Sequence, residues 1–193
     1  ADPANECFAL RREDGSLTGE IKPRALVHRD GDLHGASHVF LARLRGGRAE
    51  LLLQKRSAQK DSFPGLYDIS AAGHLDPGED FAGGGRRELA EELGVTGEEP
   101  EFLFAMRNEY HGAFHGKPFH DNEIAWVHLL VLDRPEEAFT PEACEVGVRA
   151  LFSVAGDPAR HAGNDLRFCL REAEFCRLLP YLAQKFGIPV DKL

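Results

Sequence analysis

Residues 73–95 read Gly73-His74-Leu75-Asp76-Pro77-Gly78-Glu79-Asp80-Phe81-Ala82-Gly83-Gly84-Gly85-Arg86-Arg87-Glu88-Leu89-Ala90-Glu91-Glu92-Leu93-Gly94-Val95. From residue 80 the apolar positions Ala82, Leu89 and Leu93 fall on one helical face, which predicts a helix over 80–93. Gly94 is the stop signal, because glycine takes positive φ without penalty. Glu88, Glu91 and Glu92 stand at i, i+3 and i+4, so their carboxylates project from one side of that helix. On a bare helix such crowding is repulsive, and a divalent cation reverses the sign. Several hard oxygen ligands on one face point to Mg²⁺, with Mn²⁺ as a substitute. Arg87 can pair with one of these carboxylates and hold it. Glu79, in the loop before the helix, is suited to bracing the set or to joining the ligands. The three glycines at 83–85 are poor helix formers and predict a late or frayed start.

Around this stretch the chain alternates periods. Residues 6–27 form a lead-in with a turn at Asp14-Gly15, and a polar turn follows at 28–32. Strands are expected at 36–44 and 49–54 as a hairpin around Gly46-Gly47. Further strands are expected at 66–72, 102–110, 123–132 and 148–152, with a polar loop between 110 and 123 and a carboxylate-rich loop over 135–145. Residues 166–186 have helical spacing, with Pro180 expected to kink them. Strands, helix, strands, helix predict an α+β fold, an α/β/α sandwich around a mixed sheet. One domain over 1–193 is expected, with 1–6 as a disordered or extraneous lead and 153–193 as a C-terminal helical segment.

Net charge is −9, from 23 Lys+Arg against 32 Asp+Glu, which argues against a nucleic-acid polymer as partner. A small phosphorylated substrate remains compatible, since ions supply the missing positive charge. The apolar run at 124–132 is too short for a bilayer, and no signal segment opens the chain, so a cytoplasmic location without membrane contact is expected. A homodimer is left open. Cys7, Cys144, Cys169 and Cys176 lack ligand spacing. Cys169 and Cys176, seven apart, are read as small core residues on the last helix.

Gly73, Glu79, Arg87-Glu88-Leu89, Glu91-Glu92 and Gly94-Val95 stand at the distances of the Nudix box, and the stretch matches every specified position of it. The resemblance implies the Nudix fold, a divalent metal on the box glutamates and cleavage of a phosphoanhydride bond in a small-molecule diphosphate. Outside the box, His28-Arg29-Asp30-Gly31-Asp32, His34, Gln54-Lys55-Arg56-Ser57, Lys60-Asp61, Pro64-Gly65, Asp68 and Gly73-His74 resemble the isopentenyl-diphosphate isomerase-like branch over roughly half the chain. That branch implies a second metal set at His28, His34, His74, Asp121 and Glu123. It also implies diphosphate contacts from Arg24, Arg56 and Lys60. The isomerases carry a catalytic cysteine just before the box glycine; here Ala72 stands there, and none of the four cysteines is expected nearby. Ala72 and the complete box favour hydrolysis over allylic proton transfer.

The resemblance and the helix chemistry together imply Glu88, Glu91 and Glu92 as metal ligands, with Glu79 beside them. The general base is expected to be a glutamate, Glu145 or Glu142 from the loop before the last strand, or else Glu91 or Glu92. Substrate choice is assigned to aromatics such as Tyr110, Phe114, Phe119 and Trp126, with Trp126 the one most apt to be core.

Overall fold

The computed structural model describes residues 5–60, 62–140, 146–154 and 168–193; Glu142, Cys144 and Glu145 lie outside the described residues. Its centre is a mixed sheet built from seven strands. They are β3 (His34–Arg45), β4 (Arg48–Arg56), β5 (Tyr67–Asp68), β6 (Ala71–His74), β7 (Glu101–Phe114), β8 (Lys117–Val131) and β9 (Val146–Val154). The main order is β5-β4-β3-β8-β7, with β6 on β3 and β9 on β4. Among the described residues, the β3–β8 pair of this sheet is parallel and its other strand pairs are antiparallel.

Alternation along β3 assigns the two faces. Phe40 and Ala42 pack with Leu51, Leu53, Val127 and Leu129 against Phe175, Leu178, Leu179 and Leu182 of helix α3 (Glu172–Phe186). Val39 and Leu41 pack on the other side with Leu52 and Leu130 against Leu89 and Leu93 of helix α2 (Phe81–Leu93). Helix, sheet and helix form the expected α/β/α sandwich.

α2 starts at Phe81, without the late start that its glycines predict. Asp80 caps it, its side chain accepting from the Gly83 N–H at 2.6 Å. Tight packing favours glycine here, most strongly at Gly84. A Cβ on Gly84 would stand 2.4 Å from Leu75 Cδ2, and one on Gly85 would stand 3.1 Å from Ser37 Oγ. Close approach of the helix to β3 and to the Leu75 segment outweighs the propensity cost of about 1 kcal/mol per glycine. Gly94 ends the helix at φ 68°, as its position predicts.

Several boundaries differ from expectation. The polar turn at 28–32 is the end of a short helix, α1 (Arg24–Asp30), closed by Gly31 in the left-handed region. Ahead of it the lead-in is a hairpin of β1 (Cys7–Arg11) and β2 (Leu17–Pro23). The expected strand over 66–72 splits into β5 and β6. Between them the Ser70 hydroxyl accepts from the Leu41 N–H (2.7 Å) and donates to the Leu52 carbonyl (2.6 Å), bridging β3 and β4 where they diverge. The polar loop between 110 and 123 is instead a continuous hairpin, because His115 and Gly116 both adopt positive φ and let β7 and β8 pair through Phe114↔Lys117. α3 begins at Glu172, six residues later than expected, and continues through Pro180. Cys169 therefore lies off the helix, half-buried, and Cys176 is exposed on it, so neither is the core residue the spacing suggested. Among the described residues, no helix is long and apolar enough to cross a membrane.

Candidate active site

A cavity of about 650 Å³ opens beside α2, reached by β6, β8 and the segment leading into α3. Its acidic wall is built from the helix outward. A Cβ on Gly73 would stand 2.1 Å from Glu88 Oε1, so glycine there is what lets the carboxylate lie against β6. Arg87 is the organiser. Its Nε and Nη2 donate to the two oxygens of Glu79 (3.0 Å each), Nη2 also donates to the His74 carbonyl (2.9 Å), and Nη1 reaches Glu88 (2.6 Å) and Glu91 (3.2 Å). Burial alone would lower the Arg87 pKa, but the bonds to Glu79 and the charge of Glu88 outweigh it and hold the guanidinium above its ordinary value.

Glu92 is buried. Its Oε2 accepts from Gln54 Nε2 (2.6 Å) and from the Ala72 N–H (2.9 Å). Burial, and then the nearby charge of Glu88, push its carboxyl up to about 8. The box thus gathers three carboxylates beside one cavity, one of them resisting ionisation in the absence of a cation.

A second cluster lies next to it. His28 from α1, His34 from β3, His74 from β6 and Asp121 from β8 each offer a ligand atom within 4.8 Å of the others. Asp121 Oδ1 is 3.4 Å from His34 Nε2 and 3.8 Å from the Nε2 atoms of His28 and His74; Glu123 is 3.9 Å from His74. His28 Nε2, His34 Nε2 and Asp121 Oδ1 are buried without a hydrogen-bond partner. Unpartnered buried polar atoms that converge on one point fit a cation. His34 Nδ1 is engaged with the Asp32 carbonyl at 2.9 Å, which leaves Nε2 as the inward atom. Burial, reinforced by neighbouring His74, pushes His28 down to about 2. Burial also lowers His74. Burial would raise Asp121, but the close approach of the His34 and His74 rings to its carboxylate holds it well below the usual range. Phe8 of the N-terminal hairpin stacks on His34 (centroids 4.9 Å, planes 11° apart) and packs on His74, so the lead-in is a wall of this cluster.

The basic residues line the same cavity. Arg24 is paired with Glu6 (2.7 Å), and Arg56 with Asp68 (2.9 Å) and the Ser62 carbonyl (3.1 Å). Lys60 lines the cavity with them. Tyr110 and Phe119 line the cavity, and Phe114 backs them through contacts at 5.9 and 5.2 Å. Trp126 does not line it; its ring stacks on Phe81 at 4.6 Å.

Three features escape sequence reasoning. Arg171 donates to Glu123 (2.9 Å) and Asp121 (3.3 Å), from a residue expected in mid-helix. His38 Nδ1 meets Glu174 at 2.7 Å while its Nε2 lies 3.3 Å from Glu123, linking β3 to α3. Cys169, distant in sequence from Ala72, lines the same cavity, its N–H bonded to the Tyr67 carbonyl at 2.9 Å. Burial and the charge of Asp68 push its thiol up. Gln54, which donates to Glu92, did have a signal in advance, as part of the Gln54-Lys55-Arg56-Ser57 pattern.

The NUDIX domain model matches residues 34–162, more than half of the chain. The chain is 41% identical over 147 residues to Nudix hydrolase 3 of Arabidopsis thaliana, a match covering 74% of this chain and 18% of that protein's length. It is 37% identical over 137 residues to an isopentenyl-diphosphate Delta-isomerase of Halorhodospira halophila, covering 69% of this chain and 72% of the isomerase. A crystal structure from Deinococcus radiodurans superposes with a TM-score of 0.62 at 20% identity, covering 80% of this chain and 88% of that one, a likeness of fold. The box geometry and these matches agree: the chain belongs to the Nudix family.

Proposed function

We propose that the chain is a Mg²⁺-dependent hydrolase, with Mn²⁺ as a substitute ion, that cleaves the phosphoanhydride bond of a nucleoside diphosphate derivative or a related organic diphosphate. The observation that carries this is the shared cavity: Glu88, Glu91 and Glu92 on one wall and Arg24, Arg56 and Lys60 on the others. In this reading the three glutamates, with Glu79 bracing them through Arg87, hold the divalent ion. That ion supplies charge neutralisation on the phosphoryl oxygens and acidifies water when bound.

The chain's own residues do the rest. Arg24, Arg56 and Lys60 orient the diphosphate, and their charges oppose the repulsion between it and the acidic wall. Arg87 keeps Glu88 and Glu91 in register. A carboxylate takes the proton of the attacking water: Glu91 or Glu92 of α2, or Glu145 ahead of β9. The new P–O bond forms from that water as the bridging P–O bond breaks, and the second phosphate leaves. Tyr110 and Phe119 face the organic part of the substrate. A second divalent ion on His28, His34, His74 and Asp121, with Glu123 beside them, would use the unpartnered atoms of His28, His34 and Asp121.

The runner-up is an isomerase of allylic diphosphates, favoured by that histidine cluster and by Cys169 in the cavity wall. Ala72 speaks against it, and so does the raised Cys169 thiol, which makes a poor base. The test is a panel of nucleoside diphosphate derivatives, nucleoside di- and triphosphates and prenyl diphosphates with Mg²⁺, following phosphate release and double-bond position. Phosphate or nucleotide release supports hydrolysis; double-bond migration without phosphate release, lost in Cys169→Ser, replaces it with the isomerase.

A further inference from the structure

On the far side of the β7–β8 hairpin, strand alternation assembles a convergent set outside the cavity. His111 pairs with His120 across the two strands, and Tyr110 with Asp121. Because successive side chains turn to opposite faces, Tyr110, Phe119 and Asp121 line the cavity, while Glu109, His111 and His120 share the other face and do not. There both imidazoles aim Nε2 at one oxygen, Glu109 Oε1, at 3.0 Å each. Their ring centroids are 3.6 Å apart, and one ligand atom from each of the three residues lies within 4.8 Å of the others.

His120 is held from behind. A Cβ on Gly31 would stand 2.1 Å from its Nδ1, so the ring sits flush on the backbone that ends α1. Asn122 Nδ2 donates to the Gly31 carbonyl at 2.9 Å and fixes the same contact from β8. The outer side is open, with the His111 and Glu109 side chains 64% and 47% exposed.

We propose that Glu109, His111 and His120 form a surface site for a divalent transition ion of the Zn²⁺ class, with a further coordination position facing solvent. Zn²⁺ bonds of about 2.0–2.2 Å arranged tetrahedrally put ligand atoms roughly 3.3 Å apart. The two observed 3.0 Å separations come close to this, so an ion replaces the shared proton contacts with small ring adjustments. Two imidazoles and one carboxylate select Zn²⁺, Cu²⁺ or Ni²⁺ over Mg²⁺, which prefers oxygen. The site is therefore chemically sorted from the glutamate helix. An ion here would tie together the two strands that present Tyr110 and Phe119 to the cavity.

The probe is Zn²⁺ alone, added to the full chain. Equilibrium dialysis counts bound ions in the wild type, in His111→Gln and in Glu109→Gln, and ¹⁵N imidazole spectra report on His111 and His120. The expected result is one equivalent of Zn²⁺ fewer in each variant, unaltered Mg²⁺-dependent phosphate release in both, and Zn²⁺-dependent displacement of both Nε2 resonances in the wild type. The histidine cluster within the cavity is untouched by these substitutions, so its own Zn²⁺ uptake cannot mimic the loss. Equal stoichiometry in the wild type and both variants, or Nε2 resonances that ignore Zn²⁺, overturns the proposal.

Discussion

At Arg87, one guanidinium meets Glu79, Glu88, Glu91 and the His74 carbonyl, with Asp76 3.6 Å away. No ammonium reproduces this fork, since a lysine offers a point charge where two parallel donors span Glu79. Arg87→Lys is expected to lower Mg²⁺-dependent turnover by about 10–100-fold, the usual cost of removing a partner that orients ligands. Circular dichroism and thermal melting of the variant should stay close to wild type; a collapse of the melt would make Arg87 a folding residue instead. Glu92 makes a separate prediction. Its folded pKa, about 8, lies above the unfolded value, so its contribution is fully present below about pH 4.5 and is lost as pH rises through about 8. In chelator, the melting temperature of the wild type relative to Glu92→Gln should therefore fall across that window. Added Mg²⁺ should reverse the trend by favouring the ionised form. A difference that is flat with pH contradicts the buried, charge-crowded placement of Glu92.

Among the elements, α2 explains why part of the site is legible in sequence and part is not. Glu88, Glu91 and Glu92 are a local pattern, and helical periodicity alone puts them on one side. The glycines at 83–85 read as a weakness because propensity is local, whereas the reason for them, Leu75 and Ser37 packed against the helix, is tertiary. Gly84→Ala should lower the melting temperature, because overpacking costs about 1–3 kcal/mol against about 1 kcal/mol of helix propensity gained. Gly83→Ala, whose Cβ would meet the Asp80 side chain at 3.0 Å, should be the milder change of the two. The reverse order in calorimetry would show that propensity governs this helix. α3 shows the opposite limit. Its apolar spacing is visible, but the residues that reach the cavity, Arg171 and Glu174, are defined by where its first turn begins, and a helix read from 166 hides that boundary. The hairpin of β7 and β8 was hidden in the same way, since histidines and glycine look like a loop until His115 and Gly116 are seen as a two-residue turn.

Over the whole molecule, the sandwich brings together groups that are remote in the chain: His28 from α1, His74 from β6, Asp121 from β8 and Arg171 at the threshold of α3. Sequence resemblance names most of these residues, while their convergence depends on the parallel β3–β8 pair, which sets His34 opposite Glu123. Leu178, fully buried between α3 and the sheet, tests how far the site relies on that layer. Leu178→Ala should destabilise the fold by about 2–5 kcal/mol in urea. If α3 holds Arg171 and Glu174 rigidly, turnover at temperatures well below the melt should be far less affected than stability; equal losses would mean that the layer itself is dynamic.

The claim on which the rest depends is that the box carboxylates act on a diphosphate through a divalent ion, and isothermal titration of Mg²⁺ in the presence of a non-hydrolysable diphosphate analogue addresses it directly. The wild type should take up Mg²⁺, while Glu88→Gln and Glu92→Gln, each still folded by circular dichroism, should bind it at least about tenfold more weakly. Equal Mg²⁺ uptake by the wild type and both variants would contradict the account.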